Sequence, residues 1–425
     1  MRWLPVALVA AAALAACGSG GSASSGGQGG GAKVKDITFW LSASDAQAVG
    51  YKTIATNFEA KTGVKVQVVN VPYDGFQDKL RQAAQANSLP DTASVPALDP
   101  IWTNQLQDLT STATNPANKI IKSLYVPTSD GKVLTIPSDV TAAGLFINKS
   151  LFDKAKVSYP TDPEKTWTWD DFLAAATKVR LATGAKYDLV YDHSAARIKA
   201  FYYQHGAKGF QLGADGKYAA DPATVPALQK FASLNDDKIM PKSVWTSDAD
   251  PNALFKSGQV VAYVSGVWQV ADFADSITNF EWASVPTPAQ PVQATDVNTG
   301  GNVVAFKNGD RADAAKQFID FMFQPDNYTK LAAENGYLPV ETGLTLNYPF
   351  KKQAALDAYA LYNKEIAIAD PISASGNQTT IKLITKGKAV MTDPTKDEMT
   401  KLVNGEQDAQ KTVANIVASY NQQIA

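Results

Sequence analysis

Ile37-Thr38-Phe39-Trp40-Leu41 is an apolar run of β-branched and aromatic residues, the type found in buried strands. It opens an alternation of strand and helix patterns, with Gly63 at the end of the first helical pattern. The predicted elements come in the order strand, helix, strand, helix, strand, and they span residues 37–41, 46–61, 64–71, 73–87 and 92–95. Strands that alternate with helices over so short a stretch predict a parallel sheet with helical crossovers.

The same alternation continues along the rest of the chain. Thr168 has the pattern of a helix N-cap, Asp171 is its acidic partner, and Gly184 lies where that helix should end. The later predicted elements are a strand at 142–147 and helices at 172–182, 313–323, 326–335 and 397–424. About 390 residues remain after the N-terminal segment, and one core rarely grows so large, so we expect two lobes or domains.

The composition is that of a soluble globular protein, with 45% hydrophobic and 19% charged residues. Lys and Arg number 39 against 41 Asp and Glu, which gives a net charge of −2. Because no basic excess is present to attract nucleic acid, we expect no nucleic-acid partner. Eight Trp, 16 Tyr and 17 Phe residues supply aromatic side chains for a binding site as well as for the core.

The N-terminus carries a signal-peptide pattern. Met1-Arg2 is followed by an apolar run too short to span a bilayer, and the only cysteine, Cys17, ends the sequence Leu14-Ala15-Ala16-Cys17. This sequence resembles a bacterial lipobox, in which the cysteine is lipidated; the alternative is an ordinary secretory signal with an unrelated cysteine. Residues 18–32 are a Gly- and Ser-rich tether of flexible type. We therefore expect residues 1–17 to be a lipoprotein signal and the body to be anchored to the outer face of the cell membrane through Cys17.

Few side chains of the body suggest enzyme chemistry. It has no cysteine after Cys17, which excludes disulfides, thiolate nucleophiles and Cys-ligated metals. Its two histidines, His193 and His205, have no metal-ligand spacing. The sequence motifs of phosphate-binding loops, dinucleotide-binding folds, zinc proteases and serine hydrolases are absent. We therefore favour a binding protein over an enzyme and expect no cofactor and no metal.

Six segments of the chain carry recognisable sequence. They are Asn57–Val66 (NFEAKTGVKV), Lys79–Asp91, Gly144–Phe152 (GLFINKSLF), Thr166–Phe172 (TWTWDDF), Leu254–Trp268 and Gly336–Val340 (GYLPV). Together and in this order they resemble family 1 of the extracellular solute-binding proteins, the sugar-capturing lipoproteins of ABC importers. Ile147 stands where that family usually has Tyr. The resemblance covers nearly all of the chain that follows the signal.

The resemblance implies a two-lobed α/β fold of the periplasmic-binding-protein type, with a ligand cleft between lobes that crossover strands join. Lobe one would comprise residues 33–140 and 280–338, and lobe two residues 141–279 and 339–425. The implied crossings lie near Asp139–Thr141, Asn279–Trp282 and Pro339.

Trp268 is the first candidate for ligand binding. A sugar presents hydroxyls at its rim and C–H groups on its faces, so its site needs aromatic planes and a few aimed polar groups. In open α/β sheets such a site lies beyond the carboxyl ends of the strands. Trp268 follows Gly266 directly after a predicted strand at 260–265, and the family has a stacking Trp here. The alternative is core packing at the start of a helix.

Four candidates lie at the end of the first strand, namely Trp40, Ser42, Ser44 and Asp45. Asp45 resembles the family's polar ligand contact after strand one, with Ser42 and Ser44 as helpers. It could equally cap the helix that follows, and the two roles can coexist. Trp40 lies inside the strand, where packing in the core is the competing role.

Five candidates belong to the third strand and the crossings. Asp99 and Trp102 follow the third strand, where the family often has an acidic residue facing the cleft, although Asp99-Pro100 is also a helix start. Asp139 and Thr141 would face the floor of the cleft from the first crossing. Asn302 ends Asn-Thr-Gly-Gly-Asn, which resembles the family's glycine pair at the ligand; the glycines also suit a tight turn.

The second lobe offers His193 and Arg197, in a region where the family has ligand contacts. A surface Arg and a hydrogen-bonded His are the alternative interpretation. Trp167 and Trp169 flank the predicted helix cap, so we expect them to pack that helix onto its lobe.

These observations predict a monomeric, membrane-tethered and non-enzymatic receptor that closes its lobes on a mono- or oligosaccharide and delivers it to an ABC transporter permease. One alternative is a receptor of the same fold for a polyamine, an oxyanion or ferric ion, although no cluster of carboxylates, Tyr or His is evident for it. The other is a secreted glycoside hydrolase, which needs two carboxylates about 5–10 Å apart. The 41 acidic residues of the sequence include enough carboxylates for such a pair.

Overall fold

The computed structural model describes residues 34–42, 48–73, 75–289, 292–293, 298–368, 379–380, 383–384 and 386–425. Residues Val34–Ala425 form one compact unit. Cys17, the tether predicted for 18–32, Ser44 and Asp45 lie outside the described residues.

The elements alternate between strand and helix through most of the unit. The strands are β1 Asp36–Leu41, β2 Lys65–Asn70, β3 Thr92–Val95, β4 Ile136–Pro137, β5 Val140–Thr141, β6 Ala143–Asn148, β7 Tyr187–Tyr191, β8 Phe210–Leu212, β9 Tyr218–Ala220, β10 Val260–Gly266, β11 Trp282–Val285, β12 Asn298–Thr299 and β13 Asn302–Ala305. The helices are α1 Val49–Thr62, α2 Phe76–Gln85, α3 Pro100–Thr103, α4 Thr110–Ala113, α5 Lys149–Ala155, α6 Trp169–Thr183, α7 Ala195–Gln204, α8 Thr224–Leu234, α9 Ser243–Thr246, α10 Pro251–Lys256, α11 Gln269–Ser276, α12 Ala312–Met322, α13 Pro325–Asn335, α14 Gln353–Ile368, α15 Thr395–Asn404 and α16 Ala409–Gln423. None of the helices in the described ranges combines the length and the hydropathy needed to cross a bilayer.

The N-terminal strands form a five-stranded sheet of order β2-β1-β3-β13-β4. β1 runs parallel to β2 and to β3, so the predicted parallel sheet with helical crossovers is confirmed. β13 arrives from much later in the chain and pairs antiparallel with both β3 and β4. The sheet therefore holds two distant parts of the sequence together.

Strand alternation explains how this sheet is covered on both faces. Ile37, Phe39 and Leu41 are buried in the large core cluster, which includes side chains of α1 and α12. Trp40 points to the other face and packs on a smaller cluster that contains Trp102. Both faces of β1 are thus occupied, which is the requirement of a central parallel strand.

A second, four-stranded sheet has the order β11-β6-β10-β7. β10 is parallel to β7, and β6 runs antiparallel to both β10 and β11. The prediction that lobe one resumes at residue 280, with a crossing near Asn279–Trp282, is wrong for β11. This strand bonds to β6 of the second sheet, so the crossing follows Val285. Its partner lies far away in the sequence, and no local pattern reveals that pairing.

Local signals identify most helix ends correctly. Thr168 and Asp171 form the predicted capping box at the start of α6, and Gly184 ends that helix. The single helix predicted for 397–424 is wrong, because α15 and α16 are separate. Gly405 ends α15 in the left-handed conformation with a φ of 77°, and Asp408 caps the start of α16.

Three crossing segments, residues 138–142, 298–302 and 338–341, carry the chain between the two sheets and are bonded to one another. Ser138 N donates to Gly301 O at 2.8 Å, and Gly301 N donates to Asp139 Oδ1 at 3.0 Å. Val140 N donates to Leu338 O at 3.0 Å. The first segment therefore has backbone partners on both of the others.

The Tyr328 hydroxyl adds a link from the helix α13. Tyr328 is fully buried, its O–H donates to Ser138 O at 2.7 Å, and the same oxygen accepts from Val340 N at 2.9 Å. One hydroxyl thus satisfies a backbone carbonyl of the first crossing segment and a backbone N–H of the third. Buried backbone groups need such partners, because leaving one unmade costs about 1–3 kcal/mol.

We predict that Tyr328→Phe lowers the free energy of unfolding by about 1–3 kcal/mol, since two buried backbone groups lose their partner. Urea denaturation followed by circular dichroism measures the change. The matched control is Tyr159→Phe, whose hydroxyl makes no hydrogen bond to the described residues and whose ring packs against Phe152. A loss no larger than that of the control would contradict the link.

Glu341 lies in the third crossing segment with an unusual burial. Its side chain is 2% exposed, and neither carboxyl oxygen has a hydrogen-bond partner among the described residues. Burial raises the pKa of Glu341 from the usual 4.5 to about 8. Burial in the crossing therefore favours the neutral form of this carboxyl group over the ionised form.

We predict that Glu341 makes the fold less stable as the pH rises. Below pH 4.5 the carboxyl is protonated in both states; between 4.5 and about 8 the unfolded chain binds fewer protons than the folded one. The stability contributed by the neutral carboxyl is therefore lost across that interval. Glu341→Gln, which stays uncharged, should flatten the unfolding free energy between pH 5 and 9 relative to wild type, whereas the exposed control Glu281→Gln should not. Parallel pH profiles for wild type and Glu341→Gln would refute this expectation.

Candidate ligand-binding site

Trp268 lies at the carboxyl end of β10, immediately before α11, as the sequence predicted. The indole rests on Gly266, where a Cβ atom would come within 2.2 Å of ring atoms Cη2 and Cζ3. Glycine is therefore required for the ring to approach the strand so closely. The residue is partly buried, so some of its surface is open to solvent. Its contact with a ligand remains a prediction.

Arg197 lies behind that indole and not on the surface. Only 3% of the residue is exposed, and its guanidinium carbon is 4.6 Å from the centroid of the Trp268 ring. Nη1 donates to Ser265 O at 2.9 Å. The interpretation of Arg197 as a surface residue is wrong, and its predicted ligand contact stays untested. A desolvated contact of this cation–π type contributes about 2 kcal/mol.

Asp192 is a neighbour of this pair that the sequence analysis missed. It directly follows β7, and its carboxyl accepts from Ser265 Oγ at 2.6 Å and from the Tyr263 hydroxyl. Burial raises the pKa of Asp192, while the attraction of Arg197 acts in the opposite direction. An acidic residue directly after an apolar strand was the signal that could have identified it.

His193 makes contacts that account for both ring nitrogens. Nδ1 lies 3.2 Å from Asp248 Oδ1, and Nε2 lies 3.5 Å from Thr400 Oγ1. The ring packs on Trp245 with centroids 4.5 Å apart. Burial lowers the pKa of His193. These contacts agree with the interpretation of a hydrogen-bonded histidine, and a ligand contact remains a prediction.

Asp139, Thr141 and Asn302 all lie at the crossing segments, as expected. Asp139 Oδ1 accepts from Ser138 Oγ at 2.8 Å and from Gly301 N at 3.0 Å, and burial raises the pKa of Asp139 to about 6. Thr141 is half buried in β5, opposite Asn298 of β12. The Asn302 amide donates to Val95 O and to Pro96 O at 3.4 and 3.3 Å. Asp139 thus joins two crossing segments, and Asn302 joins the second of them to the end of β3.

Asp99 and Trp102 have structural contacts. Asp99 is 1% exposed, caps α3 by accepting from Ile101 N at 2.9 Å, and pairs with Arg81 Nε at 2.6 Å. The helix start predicted for Asp99-Pro100 is therefore confirmed. Trp102 is fully buried, and its ring packs edge-on against Phe306. Neither side chain presents appreciable surface to a ligand in this conformation.

The first-strand candidates are only partly described. Trp40 is half buried, and Lys79 Nζ lies 4.8 Å from the centroid of its ring. Ser42 is half buried directly after β1. Ser44 and Asp45 lie outside the described residues, so their predicted roles stay predictions.

Trp167 and Trp169 pack α6 onto its lobe, as predicted. Trp169 Nε1 donates to Gln204 Oε1 at 3.0 Å, and Trp167 Nε1 donates to Pro286 O at 3.3 Å. Both indoles also pack against Phe172 of α6.

The structure brings the candidates together at two neighbouring places. One is the end of β10 with Trp268 and Arg197; the other is the crossing segments with Asp139 and Asn302. A hydrogen bond joins these two places. Val267, next to Trp268, donates its N–H to Ala142 O of the first crossing segment at 3.1 Å. Across the described ranges, no group of three His, Cys, Asp or Glu side chains has the geometry to hold a metal ion. The arrangement offers an aromatic plane beside a polar strip of backbone and side chains.

Comparisons with known proteins give a consistent result. A maltooligosaccharide ABC transporter solute-binding lipoprotein of Streptococcus pneumoniae is 23% identical over 403 residues, which cover 90% of this chain and 87% of that protein. A solved ABC substrate-binding protein of Listeria monocytogenes, in complex with cycloalternan, matches with a TM-score of 0.76 and 23% identity over 92% and 99% of the two chains. The GacH receptor of Streptomyces glaucescens, solved unliganded and with acarbose, has a TM-score of 0.70 and 21% identity over 92% and 98%.

The solved relatives establish the fold, and the predicted two-lobed α/β architecture is confirmed. The family model described as bacterial extracellular solute-binding protein matches residues 53–358, which is most of the described unit. The chain therefore belongs to the bacterial extracellular solute-binding protein family.

Proposed function

We propose that this protein is the substrate-binding lipoprotein of an ABC transporter and that it captures a mono- or oligosaccharide without chemically changing it. The observation that carries the proposal is the position of the partly buried Trp268 at the carboxyl end of β10. A sugar ring needs such a plane for its C–H face and polar groups for its hydroxyls. The crossing segments beside Trp268 supply polar groups.

The charge behind the indole disfavours a cationic ligand. The Arg197 guanidinium covers one face of Trp268 at 4.6 Å, so a cation on the other face would lie about 9 Å from it. Two like charges at about 9 Å repel by roughly 2 kcal/mol at an effective dielectric constant near 20. A polyamine would meet this repulsion, whereas a neutral sugar would not.

The relatives support the same class of ligand. The Streptococcus pneumoniae lipoprotein is named for maltooligosaccharide, a Streptomyces coelicolor relative for diacetylchitobiose, and one of Bacillus subtilis for galactooligosaccharide. These names differ in the sugar but agree on short oligosaccharides. A carbohydrate is therefore the ligand class we propose, and the linkage is a question for experiment.

Capture would occur by closure of the lobes about the crossing segments. A ligand that touches both lobes binds the closed state more tightly, and only that difference in affinity shifts the population. In this proposal lobe one comprises residues 33–140 and 298–338, and lobe two residues 141–289 and 339–425, because residues 286–289 bond to Trp167 and Glu365 of lobe two. The permease would then receive the sugar from the closed form.

The proposal includes the anchor predicted from the sequence. Cys17 would carry the lipid, and residues 18–32 would form the tether that leaves a monomeric receptor free at the outer face of the membrane. Such a tether has a root-mean-square reach of about 20 Å. That reach keeps the receptor near a permease in the same membrane.

The test is isothermal titration of the full-length chain, purified in a sugar-free detergent and refolded to remove carried-over ligand. The panel contains maltotriose, diacetylchitobiose, a galactobiose, spermidine, sulfate and ferric citrate. We expect one sugar to bind with one-to-one stoichiometry and to be recovered intact. Trp268→Ala should weaken that binding by about tenfold or more, since a truncated aromatic contact at a site centre costs about 2 kcal/mol.

Trp167→Ala is the matched control, because it removes a half-buried indole of the same lobe that lies just before α6 and away from β10. It should leave the affinity within about threefold of wild type if the fold persists. A folded wild-type protein that binds no sugar, binds only spermidine or an ion, or cleaves the sugar would overturn the proposal.

A further inference from the structure

The geometry points to Arg197 as a positioning residue. We infer that its guanidinium fixes the plane of the Trp268 indole from the buried side and so holds the opposite face ready for a ligand. The use of that face by a sugar rests on the proposed function. The positioning itself does not, because it concerns contacts within the unliganded protein.

The relative exposure of the two side chains shows which of them faces the solvent. Arg197 is 3% exposed, whereas Trp268 is only half buried. With 4.6 Å between guanidinium and ring, the indole is the outer of the pair. A ligand that reaches Trp268 would therefore meet the ring, and Arg197 would act through it.

Arg197 is itself held at both ends. Its backbone N–H donates to Ser194 Oγ at 3.2 Å in the N-cap of α7. Its Nη1 donates to Ser265 O at 2.9 Å, on β10 and three residues before Trp268. The charged head is thus bonded to β10, the strand that ends two residues before Trp268.

The indole has a close contact on its edge as well. A Cβ on Gly266 would come within 2.2 Å of the ring, and the backbone at Val267 is fixed by its hydrogen bond to Ala142 O. Strand contact and guanidinium together restrict the ring to one orientation. A side chain that is already ordered loses less conformational entropy when the ligand binds, and this raises the affinity.

A guanidinium suits this position better than an ammonium. It is planar, so it stacks on an aromatic face, and it is more weakly hydrated, so its burial costs less. Lysine would keep the charge but lose the flat contact. The two residues therefore separate charge from stacking in an experiment.

The test uses the full-length chain labelled with 5-fluorotryptophan, without ligand, and 19F NMR. The chain has eight Trp residues, and Trp268→Phe identifies the Trp268 resonance. In Arg197→Met and in Arg197→Lys we expect that resonance to broaden or split and its H2O/D2O isotope shift to increase. Thermal melting of each variant checks the fold. If Arg197→Met does not fold, Arg197→Lys carries the measurement.

Arg311→Met is the matched control, because it removes one positive charge from an exposed site whose salt bridges are to Asp36 and Asp91. It should leave the Trp268 resonance unchanged. An unchanged Trp268 resonance in a folded Arg197 variant would overturn the inference.

A second readout uses maltotriose, or the sugar that binds wild type in the panel. Arg197→Met should weaken binding about tenfold in the wild-type background and by less than about twofold in Trp268→Ala, since one residue acts through the other. Equal losses in both backgrounds would contradict positioning. A wild type that binds no sugar while the Trp268 resonance still responds would contradict the proposed function and support the positioning.

Discussion

A buried hydroxyl and a buried carboxylate hold the three crossing segments of this protein in one arrangement. Tyr328 bridges Ser138 O and Val340 N, and Asp139 Oδ1 accepts from Gly301 N. Each bond satisfies a backbone group that has no regular ladder at that point, and buried backbone groups without partners are costly. The relation between the two sheets depends on these contacts, because all three passages of the chain meet there.

The candidate site depends on the same contacts. The carboxyl end of β3 pairs with Asn302 of the second crossing segment. The end of β10 contacts the first crossing segment, because Val267 N donates to Ala142 O. Strand ends from both sheets are thereby brought to one place, and ligands of open α/β sheets bind at such ends. Glycine makes the approach possible on each side. A Cβ on Gly301 would lie 2.2 Å from Ser94 Oγ, and one on Gly266 would lie equally close to Trp268.

Local sequence signals predicted the features that depend on residues close together in the chain. The capping box at Thr168, the end of α6 at Gly184 and the parallel pairing of β1 with its neighbours follow from residues close in sequence. The position of β11 could not be predicted in this way, because it depends on pairing with β6. The break at Gly405 could have been recognised, but the apolar spacing on both sides concealed it.

The site residues also divide into those that local sequence could predict and those that depend on contacts between distant parts of the chain. Trp268 was predicted because it follows a strand, which is a local property, but the roles of its neighbours needed the tertiary structure. Asp99 had the pattern of a site residue, and the fold uses it in a cap and an ion pair with Arg81. Arg197 lies 71 positions before Trp268, and nothing in the sequence connects them. Their contact exists only because β7 and β10 are adjacent strands.

A crystal structure of the sugar complex would show whether the ligand binds between the lobes and against Trp268. The quantity to measure is the distance from the sugar ring to the indole plane, together with the lobes that supply the polar contacts. We predict a sugar ring in van der Waals contact, at about 3.5–4.0 Å, with the Trp268 face opposite Arg197, and hydrogen bonds from both lobes. A sugar held by one lobe alone, or bound away from Trp268, would contradict it.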